Sequence, residues 1–309
     1  MIVVGWLWAI FTVVATFFQT LRNAMQRELA RRLGTVGATH VRFLFGFPFA
    51  LIFLLGLILG TNVPLPRPGW AFWPWVIDGA FAQVAATALM LVAMGERSFV
   101  VTIAYLKTEP IQVAIFGLIF LGDRVSLPMM TAILVATAGV LIMSTPHPTL
   151  PRKRGRVGWG TIGGIKPTLI GLASGGMFAL SAVGFRGAIL DLHLPNFVMA
   201  ATFTLVIGLL MQAVTLSLYL LLRAPSVLMA IGRAWKPSLF AGFMGALASQ
   251  FWFLAFALAT AASVRTLALV EVLFAQLVAR FAFGQKTTAR EAVGMVLVAA
   301  GVALLILEH

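Results

Sequence analysis

The 309-residue chain is 61% hydrophobic and 10% charged, with a mean hydropathy of +1.02, whereas ordinary soluble domains are roughly 25% charged. So few charges cannot cover that much apolar surface, which excludes a soluble fold. The net charge of +13 sits in short Lys and Arg clusters between apolar stretches instead of along one basic face, which excludes nucleic acid as a partner.

Cysteine is absent, so disulfides, thiolate metal sites and a Cys nucleophile are not available. His40, His147, His193 and His309 are scattered without an HExxH-type spacing, and neither a metal nor a cofactor is expected. Residues 2–20 begin without a basic region and lack a small-residue cleavage site after them, so they read as a retained first span. Further apolar stretches follow near 37–60, 70–94, 99–121, 128–145, 167–187, 196–222, 237–260, 263–283 and 291–307. Each is near the roughly 20 residues that cross the hydrocarbon as a helix. The predicted fold is therefore an all-α membrane protein of ten transmembrane helices. Pro64, Pro66 and Pro68 precede the third span, and Pro128, Pro195 and Pro237 open the fifth, seventh and eighth.

The longest polar stretch, 146–166, contains Pro151-Arg-Lys-Arg-Gly-Arg156 and divides the chain into residues 1–145 and 167–309. At a constant shift, Glu109 meets Glu271, Gly122 meets Gly284, Arg124 meets Lys286, and Ala138-Gly139-Val140 meets the identical Ala300-Gly301-Val302; a slightly larger shift pairs Arg22 with Arg186. Five is odd, so two such halves enter the membrane with opposite orientation, as inverted five-helix repeats.

Charges within spans cost about 3 kcal/mol at the helix centre and usually face a bundle interior or a wet cavity. Glu109 lies deep in span four, and Pro110 after it removes a backbone donor and opens the helix locally. Thr102, Tyr105, Glu109 and Gln112 recur at spacings of three and four, forming one polar stripe. That stripe faces either a cavity or an interhelical seam. On span nine Glu271 is equally deep, while Arg265 and Gln276 share another face because eleven residues make nearly three full turns. Lys107 is about 200° around the helix from Glu109, so it needs another partner, Asp78 on span three or an anionic group in the cavity. Arg22, Arg42, Arg186 and Arg280 fall near span ends, where snorkelling or structural ion pairing is the ordinary reading. Trp6, Trp8, Trp70, Trp73 and Trp75 fit an interfacial belt, whereas Gln250, Phe251 and Trp252 inside span eight are candidates for the pathway. Gly171-Leu-Ala-Ser-Gly175-Gly176 lacks the Lys-Ser/Thr ending of a phosphate loop, and close helix packing explains it.

The run Glu96-Arg-Ser-Phe-Val-Val-Thr-Ile-Ala-Tyr-Leu-Lys-Thr-Glu109-Pro110, then Leu121-Gly122-Asp123-Arg124 and Ala138-Gly139-Val140, resembles the second half of an EamA domain of the drug/metabolite transporter superfamily. A second copy runs through Ala261-Ala262-Ser263, Glu271, Gly284-Gln285-Lys286 and Ala300-Gly301-Val302, with Val272 in place of Pro110 and Gln285 in place of Asp123. The resemblance implies a ten-helix carrier with a central cavity between the halves, working by alternating access. The expected function is gradient-driven transport of a small organic metabolite, an amino-acid-like zwitterion or an organic anion. A multidrug exporter is the alternative, and an intramembrane enzyme or a channel the competitor from another class. No catalytic residue is expected, since no span combines a nucleophile with a recognisable partner. The remaining expected partners are the lipid bilayer of a bacterial-type inner membrane and protons, with the carrier acting as a monomer. Fourteen of the 22 Lys and Arg fall in loops after odd-numbered spans, against Arg67 and Arg124 on the opposite side. The positive-inside rule then places both termini outside, whereas the family resemblance implies both inside.

Overall fold

The chain's first reversal depends on Gly34, whose φ of 72° and ψ of 173° interrupt α1 (Ile2–Leu44). That left-handed φ suits a residue without Cβ. Gln26 Nε2 donates to Ala38 O at 3.1 Å across the reversal, a contact that a straight helix would forbid because twelve residues span about 18 Å. The first span is accordingly longer than its apolar core: helix continues past residue 20 to the glycine, through Arg27, Glu28, Arg31 and Arg32. Those charges stop the hydropathy signal but are good helix formers. Beyond α1 the helix resumes as α2 (Gly46–Thr61) after a bend at Phe45, because Pro48 has no N–H for the Leu44 carbonyl.

In this computed structural model residues 2–95, 106–144, 165–274, 276 and 287–308 are described. After α2 come α3 (Phe72–Gly95), α4 (Glu109–Phe116) with a π-helical turn at Gly117–Leu121, and α5 (Leu127–Ser144). The second half supplies α6 (Ile165–Asp191), α7 (Phe197–Arg223), the short α8 (Pro225–Arg233), α9 (Trp235–Leu258), α10 (Ala261–Leu267) and α11 (Ala289–Glu308). The described residues are helical or irregular, with no strand. Six helical segments are long and apolar enough to cross a bilayer, Met25–Thr61 among them, and Glu109–Leu121 and Leu127–Met143 are shorter apolar helices.

Helices from the two halves interleave: α3 lies along α6, α1 along α9, and α5 along α11. Small residues allow the close approach. A Cβ on Gly139 would stand 2.6 Å from Gly294 O, and one on Gly301 2.7 Å from Ala132 O, so both glycines meet the same crossing. Between α3 and α6, a Cβ on Gly184 would be 2.7 Å from both Gly79 N and Asp78 Oδ2. The glycines of Gly171–Gly176 also serve packing, since Gly175 faces Leu106 O and Gly176 faces the Gln112 side chain. Two of the five belt tryptophans belong to the interior instead. Trp8 is buried in the main core and Trp75 packs against it, its ring over Gly187, while Trp70 stays 93% exposed as an interfacial anchor would.

Candidate functional site

Two helices, one in each half, break next to a glutamate. In the first half Lys107 and Thr108 form a turn immediately before α4. Pro110 explains it, since proline removes a donor and crowds the preceding turn. In the second half α10 ends at Leu267, a turn occupies residues 268–269, and helix resumes through residues 270–274. No proline is present there. The backbone instead tightens to bonds three residues apart, from Leu269 N to Thr266 O and from Glu271 N to Ala268 O, both 3.1 Å.

These breaks bring four charges together. Lys107 Nζ donates to Glu271 Oε2 at 3.0 Å, and Arg265 Nε stands 3.1 Å from Glu109 Oε1. Each pair joins one half to the other. The first is a well-formed charge-assisted hydrogen bond. In the second the Arg265 Nε–H is not aimed at the carboxylate, so both atoms lack a directed hydrogen bond and the attraction is Coulombic. Arg265 also lies over the Trp252 ring, 4.3 Å from its centroid, and Trp252 Nε1 donates to Gln19 Oε1 at 3.1 Å. This fixes the guanidinium plane from behind.

The four charges line a cavity of about 220 Å³ together with Gln19, Arg22, Asn23, Leu106, Pro110 and Phe178. Thus Glu109, Glu271, Lys107 and Arg265 converge, and Trp252 supports them from an adjoining small void that shares Gln19, Phe178 and Arg265. Other sequence candidates lie elsewhere. Asp78 faces Gly184 in the α3–α6 crossing, and the partner of Lys107 is Glu271. Gln112 packs on Gly176 and donates to Thr108 Oγ1 at 3.3 Å. Gln250 donates to Thr202 Oγ1 at 2.8 Å. The shared face of Arg265 and Gln276 required an unbroken helix, which the turn at 268–269 interrupts. Tyr105, Thr102 and Arg280 lie outside the described residues.

Arg22 and Arg42 correct the sequence expectation most sharply. They are 1% and 4% exposed, so neither snorkels. The misreading came from ending span one at residue 20. With α1 helical to Gly34, Arg22 is mid-helix, and the absence of any breaker between Arg22 and Leu33 was the available signal. Arg186 does take a structural pairing: its guanidinium contacts Asp123 at 3.3 Å and donates to Phe256 O and Ala259 O, both 2.8 Å. It thereby caps α9 and ties the two halves together near the end of α4.

Residues 6–145 match the EamA-like transporter family. The match takes in α1 to α5, just under half of the chain, and is consistent with an EamA-domain protein of the drug/metabolite transporter superfamily. Glu109, Lys107 and Asp123 fall inside the matched segment. The matched family is one of transporters, and six helical segments among the described residues are long and apolar enough to cross a bilayer. A solved structure titled "Crystal structure of protein" shares the fold over 96% of this chain and 94% of its own, with a TM-score of 0.68 and 17% identity. No curated protein matches.

Proposed function

We propose that this chain is a secondary carrier of a small organic metabolite, built as ten spans in two inverted five-helix repeats and working by alternating access in a bacterial-type inner membrane. The observation that carries the reading is the pair of ion contacts, Lys107–Glu271 and Glu109–Arg265, which join the two halves across a cavity at the breaks of two helices. Discontinuous helices meeting at a repeat interface are where transporters bind cargo, because freed backbone and charged groups are tolerated there only against a cavity. The helix pairing supports the inverted repeat. If span n of the first half corresponds to span n+5, the α3–α6 contact maps onto α9–α1, and α5–α11 maps onto itself, as a two-fold axis requires.

A volume of about 220 Å³ is below the roughly 300–1,000 Å³ of drug-sized sites, and its charged lining suits a zwitterion or an organic anion better than a lipophilic cation. This favours a metabolite over a multidrug cargo. Either glutamate, once released from its basic partner, is available to take a proton, which is the proposed coupling step. One chain holds both halves of the pathway, so a monomer suffices.

Substrate counterflow in proteoliposomes tests the reading. A panel of labelled amino acids and organic acids should include a solute that exchanges saturably and is lost in Glu271→Gln. Linear, non-saturable flux would indicate a channel and overturn the carrier.

A further inference from the structure

Arg22 and Arg42 are buried cations that the ion pairs above do not use. Arg22 donates through Nη2 and Nε to Asn23 Oδ1 at 2.8 and 3.3 Å, and its Nη1 has no partner. Arg42 donates through Nη1 to Thr87 Oγ1 at 2.9 Å, and its Nε has none. Among the described residues neither has a carboxylate within 4.0 Å. Both stems lie on Gly245 of α9, where an added Cβ would stand 3.3 Å from Arg22 Cδ and 3.6 Å from Arg42 Cγ. Arg22 lines the main cavity, and Arg42 with Arg265 lines the void beside it.

Charge bookkeeping then leaves a surplus. Among the described residues, Arg22, Arg42, Lys107 and Arg265 face only Glu109 and Glu271 across the two voids, and these carboxylates are already engaged by Arg265 and Lys107. A buried charge without a partner is strongly unfavourable and persists where something else supplies the counter-charge. The repeat register shows the same imbalance in the sequence. Arg186, which corresponds to Arg22, has the carboxylate of Asp123, whereas the residue corresponding to Asp123 is the neutral Gln285.

We propose that Arg22, with Arg42 behind it, forms an anion subsite of the cavity and that the cargo is a small organic dianion, a dicarboxylate of about four carbons. Guanidinium groups hold carboxylates through paired N–H donors, and Asn23 and Gln19 on the same wall supply further polar contacts. Size agrees. A cavity of about 220 Å³ is below the roughly 300–1,000 Å³ of drug-sized sites, which suits a small organic acid. The assignment rests on the carrier reading for what happens to the bound anion, and on the buried arginines for the binding itself.

Two measurements on the full chain separate these. In detergent at fixed ionic strength, succinate should raise the unfolding temperature while alanine and inorganic phosphate should not. Arg22→Met should abolish the succinate shift yet raise the unfolding temperature of the unliganded protein, since it removes an uncompensated buried charge. Arg22→Lys should keep part of the shift. In proteoliposomes succinate should exchange saturably, and Arg22→Met should slow exchange by at least about thirtyfold, the lower end for truncating one partner of a buried charge pair. Alanine exchange without succinate exchange would leave the carrier standing and overturn the dianion. An Arg22-dependent succinate shift with no exchange of any solute would keep the subsite and overturn the carrier. A phosphate shift without a succinate shift would overturn the dicarboxylate. A less stable unliganded Arg22→Met that still answers fully to succinate would make Arg22 structural.

Discussion

At the scale of single residues, each glutamate is held by a base from the other half, and the consequences differ with burial. Glu109 and Arg265 have side chains only 11% and 9% exposed, so removing one leaves a nearly buried charge alone, a loss of about 3 kcal/mol. Arg265→Gln and Glu109→Gln should each lower the unfolding temperature of purified protein. The double variant should recover part of the loss, with a coupling of about 1–3 kcal/mol in the cycle; additive losses would show that the two side chains do not act as a pair. Lys107 and Glu271 are 19% exposed each, and water discounts their coupling. The two glutamates were legible in the sequence because repeat register marked them twice. Their partners were not, since Lys107 and Glu271 lie 164 residues apart and no local spacing encodes such a contact. Asp78 was the nearest carboxylate by span order, yet the α3–α6 crossing turns it toward Gly184.

At the scale of elements, the turn at Gly34 and the crossing at Gly139 make opposite demands on glycine. A Cβ at Gly34 meets nothing within 4 Å, so its requirement is the backbone alone, φ 72° with ψ 173°, a region essentially confined to glycine, and Gly34→Ala should cost about 1–3 kcal/mol. Gly56, also with open space around it but inside α2, is the control: Gly56→Ala should be neutral or slightly stabilising. Equal effects in thermal unfolding would refute the backbone argument. Gly139→Leu is of another kind, because the bulk meets Gly294 O at 2.6 Å and backbone cannot yield. It should separate α5 from α11 and prevent accumulation of folded protein. Legibility was uneven here too. Pro110 announced the break in the first half, whereas the match of Gly139 with Gly301 gave a register between halves and not the α5–α11 crossing that both glycines enter. The break at residues 268–269 has no proline or glycine to mark it. Hydropathy hid the length of the first helix, because the charges at its end are helix formers that apolar windows discard.

At the scale of the whole molecule, the unequal distribution of basic residues becomes a statement about two ends. Leu29 and Leu33 before the first reversal share a cluster with Ile231 and Val227 of α8, so the loops after spans one and seven lie at the same end. Arg27, Arg31, Arg32, Arg223, Arg233 and Lys236 gather there. The opposite end holds the Asp123–Arg186 tie and the contact of Ser126 with Glu308 near the C-terminus, and its loops carry only Arg67 and Arg124. Translocating a cluster of arginines is resisted, whereas Asp and Glu count for little. The basic end should therefore face the cytoplasm and both termini the outside, against the orientation that the family resemblance implies. The Arg186 tie would then close the outer face in this conformation. Alkaline phosphatase fused after Glu308 should be active and a fluorescent protein at the same position dark, with the reverse for insertions in the Pro151–Arg156 linker. A fluorescent C-terminal fusion paired with an active linker phosphatase would reverse the assignment and turn the Arg186 tie into an inner closure.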